Sequence, residues 1–276
     1  MDQVDVSNVS ACCPGDSHGA VEAPSGYENK GTLVPLRAKG GKSLELYVTK
    51  PEESTERAVM VLHDIFGTDS GRTKQICDDL ASQGYVVVMP NLVQNEPWEE
   101  EPASGLGKLF QLFRSIRWIN GNKWSIIGPL LMDTCLDYLK GELGCKSVGL
   151  ICFCWGCYPM VHMLSENRDE LKCGIGFHPS LQVFLGCMES RSKYCKQIQV
   201  PIMSLSAKPD PSDIKPNGLW ENDMKESNQR YGDCVFREFT DMLHGWVNRG
   251  DLSDPMIKRD FEESMSLAKD FLDKHV

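Results

Sequence analysis

The sequence predicts an α/β fold: one eight-stranded, mostly parallel sheet with helices on both faces. Three observations predict it. Continuous apolar runs such as 58–63 and 85–89 alternate with segments of helical spacing, the mark of a parallel sheet covered on both sides. Two earlier runs, 32–37 and 43–49, flank Ala38-Lys39-Gly40-Gly41, which reads as a hairpin turn. The stretch 146–151 is a buried-strand pattern that ends abruptly at Cys154, before a helix-compatible segment at 159–164.

Taken in order, residues 1–30 are rich in Ser, Gly, Pro and Cys and show no period. They read as an N-terminal arm draped over a single domain at 31–276. Within the arm, Cys12-Cys13-Pro14-Gly15 reads as a packed turn, with a redox or ligand pair as the alternative. After the hairpin come a strand at 58–63, a helix at 73–83 stopped by Gly84, and a strand at 85–89 stopped by Pro90. Residues 91–124 break the rhythm with the acidic loop Glu96–Pro102 and an aromatic-rich piece holding Phe110, Phe113, Trp118 and Trp124. This excursion is either a surface cluster or a lid over a pocket. A helix at 126–143 precedes the strand at 146–151. Strands at 173–177, 201–206 and 234–239 follow, with helices at 217–231 and 257–275.

The bulk properties set limits. The chain has 276 residues, 41% hydrophobic and 25% charged, which suits a globular core. A formal charge of −10 argues against nucleic acid or an anionic membrane surface as the partner. No run reaches the roughly 18 apolar residues of a membrane span. The first fifteen residues carry no secretory or transit pattern, so the expected compartment is the cytoplasm. Twelve cysteines scattered through core elements are then expected to be reduced thiols. Scattered His and Cys show no zinc spacing. A monomer or weak dimer is expected.

A reactive side chain at a sharp strand-to-helix turn is the nucleophile elbow, usually G-x-S-x-G. Here it reads Cys152-x-Cys154-x-Gly156. Cys154 follows the fifth strand, Asp210 the seventh and His244 the eighth. That is the nucleophile–acid–histidine order of an α/β-hydrolase, with all three at the carboxyl edge of one sheet. Asp213 is a rival for the acid. In this arrangement Cys154 would sit exposed on a tight bend within reach of His244, and the backbone N–H groups of Trp155 and Ile65 would hold an oxyanion. His63 and His178 end strands near the site and read as pocket lining or satisfied hydrogen bonds. His18, His162 and His275 read as structural or solvated.

These motifs identify a family likeness. Asp64-Ile65-Phe66-Gly67, Phe153-Cys154-Trp155-Gly156 and His244-Gly245-Trp246-x-x-Arg249 make the chain resemble the dienelactone hydrolases (carboxymethylenebutenolidases) of the α/β-hydrolase fold, from about residue 31 to the end. Asn95-Glu96-Pro97-Trp98 is similar to a segment of the eukaryotic branch. The resemblance implies a Cys-His-Asp triad that hydrolyses small lactones or activated esters, anionic ones included, with neither metal nor organic cofactor. It also implies that Asp64 controls the resting nucleophile, where the residues alone equally allow a cap on the following helix. Arg249 is implied to bind a substrate carboxylate, a surface salt bridge being the alternative. Phe66 and Trp246 belong to the same motifs and are expected to line the substrate or to stand behind the groups that do. The family pattern Gly-Phe-Cys-x-Gly-Gly is altered, because Cys152 and Cys157 replace the outer glycines.

Two other functions compete. Cys154-Trp155-Gly156-Cys157 is a C-x-x-C at a strand–helix junction, as in thiol redox proteins. A non-catalytic, ligand-binding relative of the hydrolases is the other.

Overall fold

The structure, a computed structural model, describes residues 17–24, 26–39, 41–93, 98 and 106–276, the side chains of 106–113 excepted. Cys12-Cys13-Pro14-Gly15, and the acidic loop apart from Trp98, lie outside the described residues.

Eight strands form one sheet: β1 (Thr32–Arg37), β2 (Ser43–Thr49), β3 (Arg57–Leu62), β4 (Val86–Pro90), β5 (Ser147–Phe153), β6 (Leu171–Phe177), β7 (Ile202–Ala207) and β8 (Val235–Phe239). Their spatial order is β1-β2-β4-β3-β5-β6-β7-β8. The β1–β2 hairpin and the β2–β4 pair are antiparallel, and every later pair is parallel. The hairpin turn closes through Ala38 N–H donating to Lys42 O at 2.8 Å.

Strand alternation splits the core into two layers. Ala58, Met60 and Leu62 of β3 pack with Leu150 and Cys152 of β5 on one face. Val59, Val61, Ile151 and Phe153 pack on the other. Both sets are 0% exposed, so the strands carry no polar face and read as unbroken apolar runs.

The helices are α1 (Thr73–Ser82), α2 (Leu106–Gly121), α3 (Trp124–Leu130), α4 (Leu136–Gly141), α5 (Cys157–Ser165), α6 (Val183–Gly186), α7 (Arg191–Cys195), α8 (Leu219–Ser227), α9 (Trp246–Arg249) and α10 (Pro255–His275). α1 and α10 cover the second layer, and α3 to α8 the first. The helix expected at 126–143 is divided, with a π turn at Leu131–Cys135 joining α3 to α4. Pro129 inside α3 removes one donor from the i→i−4 ladder there. The excursion at 91–124 contains α2, which its aromatic spacing did not announce. Asp254 caps α10, its side chain accepting Met256 N–H at 2.8 Å, and Pro255 occupies the first turn, where a missing N–H costs nothing. Among the described residues, no helix is long and apolar enough to cross a membrane.

Candidate active site

Five parallel strands end at one place. β3 delivers His63 to Phe66, β5 delivers Cys154, β6 delivers His178 and Ser180, β7 delivers Asp210, and β8 delivers His244. The carboxyl edge of an open α/β sheet is where such groups converge.

Cys154 occupies the left-handed region at φ 51°, which costs a non-glycine residue roughly 1–2 kcal/mol. A short 3-10 turn, Cys154–Gly156, then leads into α5. Gly156 is obligatory, because a Cβ there would lie 2.4 Å from Leu62 O and 2.7 Å from His63 O. The elbow therefore presses directly on the end of β3. The Cys154 side chain is 0% exposed, not the exposed sulfur expected from the sequence, because the turn is roofed as well as floored. Ser180 contributes to that roof. Its N–H donates to Cys154 O at 3.0 Å, and its Oγ lies 3.3 Å from Cys154 Sγ.

The two unusual cysteines around the elbow are bonded to each other: Cys152 and Cys157 form a disulfide with Cα atoms 5.2 Å apart. This corrects the expectation of reduced thiols throughout. Cys157 is thereby committed to Cys152 and not to Cys154, the partner a C-x-x-C redox site would need. The bridge has room because the neighbouring strand carries Gly176, where an added Cβ would stand 3.2 Å from Cys157 Sγ and 3.6 Å from Cys152 Sγ.

His244 Nδ1 lies 2.6 Å from Asp210 Oδ1, with both side chains fully buried. Asp210 is itself held, since its Oδ2 accepts Ala207 N–H at 2.7 Å. The rival Asp213 turns away and pairs with Arg191. On its other side the His244 ring is acted on by Cys154, through the charge of the sulfur and a side-chain hydrogen bond. Burial disfavours the imidazolium, but the charge of Cys154 and the Asp210 carboxylate outweigh it and lift the His244 pKa from 6.5 to about 9. The N-terminal arm braces this loop: Ser17 bridges to His244, and His18 N–H donates to His244 O at 2.8 Å.

Asp64 and Arg249 form a buried ion pair. The Asp64 carboxylate also accepts Phe66 N–H at 2.9 Å, Asn248 Nδ2–H at 2.7 Å and Ser70 Oγ–H at 2.8 Å. It caps its own turn and not the helix that follows, because the N-cap of α1 is Arg72 and no side chain caps it. Arg249 is no surface residue. Its Nε–H donates to His18 O at 2.8 Å, and its guanidinium stands 4.8 Å from the Phe66 ring centroid. Gly245, at φ 91°, makes room for that guanidinium. Trp246 is 0% exposed and packs in the second core layer against Phe239. Ile65 sits in the turn after β3 and Trp155 directly after the elbow cysteine.

Two residues at the site were not singled out beforehand for what they do. His178 is 0% exposed, at φ 40°, with its ring 4.7 Å from that of His244. Neither of its ring nitrogens has a hydrogen-bond partner among the described residues, so of the two readings, pocket lining or a satisfied hydrogen bond, the second is not found there. Burial and the charges of His244 and Arg249 hold its pKa well below 6.5, so the ring is neutral. Ser180 was missed altogether. The signal that could have found it is the turn His178-Pro179-Ser180 at a strand's carboxyl end.

The Ser180 contact makes a prediction. A hydroxyl donating to sulfur stabilises thiolate over thiol. Ser180→Ala should slow alkylation of Cys154 by iodoacetamide at neutral pH by about tenfold, the equivalent of one hydrogen bond to a charged group. An unchanged alkylation rate would show that the hydroxyl does not act on the sulfur.

Among the described residues, no group of three or more His, Cys, Asp or Glu side chains is placed to hold a metal ion. The arrangement can do acyl-transfer chemistry. A thiol at an elbow and an imidazole oriented by a carboxylate are its parts.

The family model of the dienelactone hydrolase family matches residues 44–276. A carboxymethylenebutenolidase homolog of Xenopus tropicalis is 26% identical over 274 residues, covering 98% of this chain and all of the relative. The hydrolase pyvD of Aspergillus violaceofuscus is 28% identical over 226 residues, covering 81% and 83% of the two chains. Among solved structures, an esterase of Pyrococcus furiosus superposes with a TM-score of 0.58 at 16% identity, covering 92% of this chain and 99% of its own. That likeness carries the fold.

Proposed function

The chain belongs to the dienelactone hydrolase family and is a carboxylic ester hydrolase with a small-molecule substrate, and from that premise we propose that it opens lactones and activated esters through a Cys154–His244–Asp210 triad. The observation that carries this reading is the buried His244 imidazole, held by Asp210 at 2.6 Å at the same sheet edge where Cys154 forms the elbow.

The thiolate of Cys154 attacks the substrate carbonyl. Oxyanion charge is taken up by the N–H groups of Trp155 and Ile65, a contribution of roughly 3 kcal/mol for each donor. The tetrahedral intermediate collapses with loss of the alkoxide or enolate, which receives the proton of the His244 imidazolium. A thioester on Cys154 remains, and in a lactone the leaving oxygen stays tethered to the acyl chain. Neutral His244 then takes a proton from water, whose oxygen attacks the thioester. Thiolate departs, the carboxylic acid is released, and the thiolate–imidazolium pair is restored. Asp210 keeps the proton of Nδ1 in place throughout.

The test is to quench the enzyme with acid during turnover of p-nitrophenyl acetate and to measure the intact protein and its peptides by mass. One acetyl group is expected on the peptide bearing Cys154. Turnover without any acylated Cys154, under conditions that trap thioesters, would sink the reading.

The pair also sets a pH dependence. With a poor leaving group, kcat/KM should hold level from neutral pH upward. It should then fall by about tenfold per pH unit as His244 loses its proton above about 9. The sign for stability follows the same shift. The folded-state pKa lies above 6.5, so the pair's stabilisation is complete below about 6.5 and is lost as pH rises through about 9. A rate that keeps climbing beyond pH 9 with an alkyl ester would contradict the imidazolium as proton donor.

A further inference from the structure

His63 directly follows β3 and is 0% exposed. Both its ring nitrogens are used. Leu92 N–H donates to Nε2 at 3.1 Å, so Nε2 is the acceptor nitrogen. A neutral imidazole carries its proton on the other nitrogen, and Nδ1 lies 2.6 Å from Asp64 O. Nδ1–H therefore donates to that carbonyl. Burial keeps the ring neutral, as this pattern requires. The tautomer is set by the backbone of the β4 loop on one side and the β3 loop on the other.

The carbonyl in question belongs to the peptide unit that joins Asp64 to Ile65. Among the described residues no peptide bond is cis, so in this planar unit the N–H points opposite to the C=O. Anchoring Asp64 O at His63 thus aims the Ile65 N–H the other way. Gly67 N–H donates to the same carbonyl at 3.2 Å, and Trp98 N–H donates to Ile65 O at 2.9 Å, so the turn is clamped from three directions. Hydrogen bonds accepted by a carbonyl also polarise the amide and strengthen its N–H as a donor. The elbow is immediately beside this turn. The space where Gly156 would carry a Cβ is filled by Leu62 O and His63 O, and the His63 and Trp155 rings are 6.0 Å apart.

We propose that His63 is a positioning residue for the oxyanion site: its Nδ1–H orients and polarises the Asp64–Ile65 peptide, whose N–H meets the oxygen of the substrate carbonyl. This rests on the reading of Cys154 as the nucleophile and of Ile65 N–H as an oxyanion donor.

Two isosteric variants separate the halves of the ring. In His63→Asn the amide nitrogen takes the place of Nδ1 and keeps the bond to Asp64 O. In His63→Gln the amide oxygen takes the place of Nε2, keeping the Leu92 bond and losing the other. With p-nitrophenyl acetate, His63→Gln should lower kcat about tenfold with KM changed less than about twofold, and kcat of His63→Asn should stand about fivefold above it. Alkylation of Cys154 by iodoacetamide, a displacement at carbon that develops no oxyanion, should run at the wild-type rate in both. Equal losses of kcat in the two variants would overturn the proposal. A fall in alkylation parallel to kcat would overturn it too, because the effect would then be on the sulfur. If Cys154→Ala keeps its activity, the nucleophile reading fails whatever His63 does.

Discussion

Cys154→Ala should lower kcat for ester hydrolysis at least about a thousandfold, to the level that oxyanion donors and binding alone sustain. The size of the effect follows from the loss of covalent catalysis, since among the described residues no other unbridged cysteine stands at the elbow. Cys152 and Cys157 are bonded to each other. The variant should fold. Alanine fills the buried space less well, but the left-handed backbone at φ 51° is as strained with one side chain as with the other. Circular dichroism and a thermal melt check that. A Cys154→Ala protein that keeps more than a tenth of the wild-type kcat would move the chemistry to another residue.

Arg249→Ala should cost about 3–5 kcal/mol of folding stability, because it leaves the Asp64 carboxylate buried without its countercharge. For a chain of this size that corresponds to roughly 6–20 °C in Tm. The Arg249 side chain also supports the arm through His18 O and stands over the ring of Phe66, so its removal loosens those contacts as well. Asp64→Asn combined with Arg249→Met should recover part of the loss, since replacing both charges removes the uncompensated one. Urea unfolding of the three proteins measures this directly. If Arg249→Ala costs less than about 1 kcal/mol but raises KM selectively for anionic esters, the guanidinium belongs to the substrate and not to the fold.

Much of this architecture was legible along the chain. Strands β3, β4 and β5 lie between two covering layers, so past Arg57 and Ser147 they carry no polar side chain and their limits show to within a residue or two. Cys154, Asp210 and His244 could be picked out because each lies in the turn or loop that follows a strand of the sheet. Other features were not legible. α2 lies in a stretch where acidic and aromatic residues obscured its helical period. The Cys152–Cys157 bridge needs the end of β5 and the first turn of α5 folded back on each other, which a spacing of five residues does not announce. Ser180 reaches the sulfur only because β6 lies beside β5.

The sequence by itself determined the class of sheet, the order of its strands along the chain and the three candidate groups at its carboxyl edge, because hydrophobic periodicity and turn chemistry are local. Only the tertiary structure decided which carboxylate faces His244, with Asp210 2.6 Å away and Asp213 drawn to Arg191. It also decided that Arg249 is buried against Asp64, 185 residues earlier in the chain. Partners so far apart in sequence meet through the packing of whole strands and loops. No local pattern encodes that meeting, because burial and charge pairing are settled only when the sheet closes.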